Sequence, residues 1–95
     1  LSVLRWDDEK DVLDQANDVD YGLTAAIWTR DFEKATQLAR SIEAGYVWIN
    51  SSSRNFLGVP FGGYKQSGVG REESIQELLS YTQIKAINAY IGKPT

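Results

Sequence analysis

Apolar positions along this chain switch between unbroken short runs and helical spacing, and the switching predicts an α/β order of strand, helix, strand, helix, strand. Leu1-Ser2-Val3-Leu4-Arg5-Trp6 is a short, largely apolar run with β character. Asp7 and Asp8 are candidate N-caps for a helix that places Val12, Leu13 and Ala16 on one face. Asp20-Tyr21-Gly22 breaks that pattern. Residues 23–29 then run almost wholly apolar through Ala25, Ala26, Ile27 and Trp28, as expected of a strand covered on both faces. Thr29 and Asp31 offer caps to a second helix, in which Phe32, Ala35, Leu38, Ala39 and Ile42 recur at helical spacing. Gly45 stands where a glycine ends such a helix, and Tyr46-Val47-Trp48-Ile49-Asn50 is the next strand. Connections this short favour parallel pairing with right-handed crossovers, hence a parallel βαβαβ unit.

Beyond Asn50 the pattern loosens. Residues 51–71 are irregular and rich in Ser and Gly, and a short helix is expected over 72–80 with Ile75, Leu78 and Leu79 inward. Residues 82–91 read as a last strand and 92–95 as a frayed end, which divides the chain into an α/β portion (1–80) and a tail (81–95). In open parallel sheets, ligands sit beyond the carboxyl ends of the strands. The 51–60 loop leaves from that edge and reads as a pocket wall, with Phe56 and Phe61 as bulky residues that line something. Trp28, Tyr46 and Trp48 lie in expected strands and read as core.

Charge and composition narrow the chemistry. A net charge of −3, with ten scattered basic residues, argues against nucleic acid as a partner. Every apolar run is interrupted too soon to span a membrane. With no Cys and no His, the chain has no disulfide, no thiolate or imidazole metal ligand, no thiol nucleophile and no imidazole base. Ser51-Ser52-Ser53 is therefore a solvent-facing loop rather than a nucleophile. The cysteine-free composition fits a cytoplasmic protein. The opening run, already strand-like and without Met, leads to the expectation that the chain is cut from a longer one.

Four glycines in Pro60-Phe61-Gly62-Gly63-Tyr64-Lys65-Gln66-Ser67-Gly68-Val69-Gly70-Arg71-Glu72 suggest close backbone approach or positive φ. A phosphate loop does not fit. No Lys-Ser/Thr pair follows a suitably spaced glycine, and Glu73 stands where the dinucleotide fingerprint needs a third Gly. Glu72 and Glu73 at the expected helix start would also repel a phosphate. Lys65, Arg71, Glu72 and Glu73 are candidates for a charged network under the loop, with ordinary solvated pairs as the alternative.

This stretch resembles the C-terminal signature of the NAD(P)-dependent aldehyde dehydrogenase superfamily. Tyr21-Gly22-Leu23-Thr24-Ala25, Gly45-Tyr46-Val47-Trp48-Ile49-Asn50 and Tyr81-Thr82-Gln83-Ile84-Lys85 agree with it in order, and the similarity spans residues 1–91. The resemblance implies a parallel βαβαβ unit within the catalytic domain, plus a C-terminal oligomerisation strand. It implies NAD or NADP in the parent enzyme, with none bound by this segment. The nucleophilic cysteine, the glutamate that activates water, the oxyanion-hole asparagine and the nucleotide site all fall upstream in the family's order. Ser53 and Asn55 match tunnel-lining positions and Phe61 an aromatic lining position, while a polar Asn55 departs from the bulky group many relatives carry, which implies either a more polar aldehyde or a wall taken over by Phe56. Arg71 and Glu72 match a structural charge network, and in some relatives the glutamate matching Glu72 has been proposed to relay protons.

Gln83 matches an interface position facing Arg71, and Ile84 and Ile87 lie on the tail strand that adds to a neighbouring subunit's sheet. The implied partners are the remainder of the chain, further subunits of a dimer or tetramer, and a small aldehyde of aromatic, aliphatic or betaine type. Alone, the segment is expected to be inactive, to expose apolar sheet and to self-associate. A stand-alone interaction module using the tail strand, and a catalytically dead homologue, are the competing readings.

Overall fold

A computed structural model describes residues 1–93; Pro94 and Thr95, half of the expected frayed end, lie outside it. Helix α1 (Glu9–Asn17) starts at Asp8, whose carboxylate accepts a 2.8 Å hydrogen bond from the Asp11 amide. Two chain reversals later, β2 (Thr24–Ile27) runs parallel to β3 (Tyr46–Ile49), with Thr24 opposite Tyr46 and Ile27 opposite Ile49. Helix α2 (Phe32–Ser41) makes the crossover between them, capped by Asp31, which accepts from the Lys34 amide at 3.1 Å. The small residue Ala35, fully buried, is where α2 meets the sheet. Tyr46 is the other buried apolar residue.

A second sheet joins two stretches that the apolar pattern leaves as loop. β1 (Tyr21–Gly22) pairs antiparallel with β4 (Tyr64–Lys65), and Phe61 bridges Glu72 just beyond. Glycine makes this packing feasible. A Cβ on Gly22 would lie 2.0 Å from the Glu43 carbonyl oxygen, and one on Gly45 would lie 1.8 Å from that of Gly62. Gly45 donates to Gly22 O at 3.0 Å, so backbone is stacked on backbone with no side chain between. Gly45 is therefore not the helix terminator expected from its spacing. α2 ends at Ile42 in extended conformation, and the Asn17 side chain closes that end by donating to Ser41 O (3.1 Å) and accepting from Glu43 N (2.8 Å).

The parallel unit is thus one βαβ, not βαβαβ. Residues 1–6 form no strand, because no neighbouring strand is there to complete their ladder, and residues 82–91 are unpaired for the same reason. The last helix, α3 (Ile75–Ser80), begins three residues later than expected. Glu72 is occupied in the bridge to Phe61, and Glu73 has φ 61°, a left-handed backbone that a helix cannot contain. Ile75, Leu78 and Leu79 face outward rather than inward. Exposure alternates along β2, with Thr24 and Ala26 open, so that strand is covered on one face rather than two. The described chain exposes 8340 Å2; a compact protein of this mass exposes roughly 5,500 Å2. Its radius of gyration of 20.3 Å likewise exceeds the roughly 12 Å of a compact chain this long. Apolar surface is left waiting for cover.

Candidate functional site

The site grows from the carboxyl ends of the parallel strands. Asn50 donates its amide to Ile27 O at 2.8 Å, and its side-chain oxygen accepts from Thr29 N at 2.9 Å, tying the two strand ends together. Its φ of 53° then turns the chain off the sheet into the 51–60 loop. Ser53, at φ 56°, turns it again.

Tyr46 and Trp48 are two apart on β3 and so share a face. Their ring centroids stand 5.0 Å apart, and the Phe61 ring lies 5.4 Å from Tyr46. Tyr46 and Trp48 each carry a polar tip, and both tips hold the loop. The Trp48 indole donates to Arg54 O at 2.7 Å, and the Tyr46 hydroxyl accepts from Phe56 N at 3.4 Å. From the other side, Gly58 N donates to Glu73 O at 2.8 Å, while the Asn55 side-chain amide donates to Glu73 Oε1 at 3.3 Å. The Phe61–Glu72 pair exchanges two bonds, of 3.0 and 2.7 Å, and fixes the loop's return.

These holds enclose a cleft of about 430 Å3 against Tyr46, Val47, Trp48, Phe56 and Pro60. Phe56 lines this cleft, whereas Phe61 packs on Tyr46 and lines a neighbouring cleft with Gly62, Arg71 and Glu72; Ser53 and Asn55 stand exposed on the loop. Tyr46 is buried, as its reading as core expects, and Trp48 is half-buried; what sequence reasoning missed is that the polar tips of these two aromatics, together with Glu73, hold the loop. Their signal was a pair of polar-tipped aromatics at i, i+2, ending in an irregular loop.

Lys65, Arg71 and Glu72 do not meet as one network. The Lys65 ammonium donates to Asn17 O (2.7 Å) and Val19 O (3.0 Å) and pairs with the Glu43 carboxylate. Arg71 packs against Gly62, lies 6.0 Å from the Tyr64 ring centre and donates to Gly70 O at 2.8 Å. Glu72 contributes its backbone. Gln83, Ile84 and Ile87 lie in the exposed tail, and among the described residues Gln83 makes no hydrogen bond to Arg71.

The titrations that are displaced sit away from the loop. Lys10 is raised by its hydrogen bond and charge pairing with Asp14, and Lys34 by those with Glu9. Asp11 is lowered, first by the Gln15 amide and then by the Asp7 backbone N–H. No cluster of metal-binding side chains occurs among the described residues. A nucleotide phosphate does not fit the glycine-dense turn either. Gly68 has φ 118° and borders open space, α3 has only six residues, and Glu72 and Glu73 precede it.

A βαβ unit with a tethered loop at the carboxyl ends of its parallel strands defines the chain as an α/β protein. Residues 1–87 match the family model of the aldehyde dehydrogenase family. The chain is 47% identical over 95 residues, all of it, to the aldehyde dehydrogenase tropH of Talaromyces stipitatus, of which it covers 18%. It is 44% identical over 92 residues (97% of the chain) to a betaine aldehyde dehydrogenase of Mesorhizobium japonicum, of which it covers 19%. Among solved structures it resembles the indole-3-acetaldehyde dehydrogenase AldA of P. syringae, in complex with NAD+ and IAA, with a TM-score of 0.85 and 45% identity, covering 90% of this chain and 17% of that one. An aldehyde dehydrogenase of Bacillus cereus in its NAD+ complex gives a TM-score of 0.83 at 43% identity, covering 86% of this chain and 17% of that one. The chain belongs to the aldehyde dehydrogenase family, and it spans about a fifth of the length of the curated relatives it matches.

Proposed function

We propose that the chain is the C-terminal part of the catalytic domain of an NAD(P)-dependent aldehyde dehydrogenase, which oxidises an aldehyde to the carboxylic acid. In that setting the 51–60 loop, with Phe56, Phe61 and the rim residues Ser53 and Asn55, forms one wall of the aldehyde channel. The observation that carries this reading is the triple tether of Arg54, Asn55 and Phe56 over the Tyr46–Trp48 face, at the strand ends where α/β sheets hold ligands. The nucleophile and the nucleotide site come from elsewhere in the subunit, since the chain holds no Cys and its glycine turn suits no phosphate.

Residues 1–6 and 82–91 complete ladders in this reading, the first with the rest of the subunit and the second with a neighbouring subunit of a homo-oligomer. The open edges of the β2–β3 pair and the exposed Ile84, Ile87 and Tyr90 support it. The test is spectrophotometric. A full-length enzyme containing this chain reduces NAD+ or NADP+ with at least one of a panel of alkyl, aryl and ammonium aldehydes, while the 95-residue chain reduces neither. Turnover by the pure short chain would sink the proposal.

A further inference from the structure

Of the three successive loop residues that are tethered, one is held in a way that sets its chemistry as well as its place. Arg54 and Phe56 are held through their backbones, by Trp48 and Tyr46. Asn55 is held through its side chain, whose amide nitrogen donates to Glu73 Oε1 at 3.3 Å. Glu73 also carries the loop's other anchor, its carbonyl accepting from Gly58 N at 2.8 Å, and its own amide is fixed by Glu77 Oε2 at 2.9 Å. The second oxygen of the Glu73 carboxylate is buried with no hydrogen-bond partner among the described residues, so Asn55 supplies the side-chain donor in reach. A carboxylate accepts and does not donate, so it can hold an asparagine amide in one flip state only. With the nitrogen turned to Glu73, the Asn55 carbonyl oxygen is the end left for a ligand.

We infer that Glu73 is a positioning residue that fixes Asn55 as a hydrogen-bond acceptor on the channel wall, so that the enzyme prefers aldehydes bearing a donor (a hydroxyl or an ammonium group) over alkyl aldehydes of the same length. The negative charge behind the amide favours the same ligands. This rests on the channel-wall reading given above and names its substrate class. A site built to hydrogen-bond a substrate group discriminates against the analogue lacking it, because its own polar group is then left unpaired.

The full-length enzyme separates the possibilities through kcat and KM for a chain-matched pair, an ω-hydroxy aldehyde and its alkyl analogue. In Glu73→Ala, KM for the hydroxy aldehyde rises about threefold to tenfold, the scale of one hydrogen bond, while its kcat, the alkyl KM and the nucleotide KM stay within about twofold. Asn55→Ala gives the same loss, the double variant loses no more than either single one, and Glu73→Gln, whose neutral amide can hold Asn55 in either flip state, recovers the preference only in part. Should Glu73→Ala fail to fold, Asn55→Ala, on an exposed rim, still decides the matter. Equal KM changes for both aldehydes, or additive effects of the two substitutions, overturn the inference alone. No turnover with any aldehyde by the unsubstituted enzyme overturns the channel-wall reading beneath it.

Discussion

Two regions of this chain hold their places by opposite means. Around Gly22, Gly45 and Gly62 the backbone packs on backbone, and the absence of side chains is what lets β1, β3 and the glycine-dense turn close together. In the tail, Ile84, Ile87, Tyr90 and Ile91 are large and apolar, yet they are almost fully exposed and pack on nothing described. Hydrophobic size alone therefore does not mark the residues that hold this unit together. What matters is whether a partner surface lies within the same stretch of chain, and the glycine seam has one while the tail does not.

Substitution sharpens the contrast, and the largest effect is expected at the seam. Gly45→Ala puts a methyl into the Gly62 carbonyl and should lower unfolding stability by about 3 kcal/mol, read as a fall in the denaturation midpoint by circular dichroism. In the tail, Ile87→Asp should leave that midpoint unchanged but weaken subunit association by about 2 kcal/mol, the value of one buried isoleucine, measured by sedimentation of the full-length protein. An unchanged association constant would show that the tail covers nothing in the oligomer. Trp48→Phe keeps an aromatic side chain, smaller than the indole, and removes the N–H that holds Arg54 O; a loss of at least about 1 kcal/mol and faster amide exchange centred on the 51–60 loop are expected. Smallest is Gln15→Ala, which removes the main cause of the low Asp11 pKa. The Asp11 pKa should rise toward its ordinary 3.8 in a carboxyl NMR titration. Because the folded value is depressed, Asp11 contributes stability above the unfolded value and loses it as pH falls through the folded one. The variant should narrow that acid window.

The parts of the fold legible in the sequence were those whose causes are local. Asp8 and Asp31 cap their helices because a carboxylate one residue ahead suffices. The β2–α2–β3 unit follows from apolar runs separated by one helical repeat. β1 and β4 were hidden because two-residue strands carry no period, and their pairing depends on a seam that spacing cannot display. Glu73 was read as a helix opener since nothing local announces its left-handed backbone. The four stretches of family resemblance pointed to the right family, which the 1–87 match shows. Of the site, the aromatic loop residues could be picked out by position, whereas the tethers from Tyr46 and Trp48 could not, because an aromatic on a strand looks the same whether its polar tip is used or idle.

The Lys65 ammonium has a last consequence. It fastens the end of α1, the turn at Val19 and the Glu43 carboxylate to the second sheet at one atom. Acylation of that nitrogen would abolish its charge and two of its three N–H groups, unlatching three segments with a single covalent event. Lysine reactivity at this position is thus a direct gauge of whether the unit is closed.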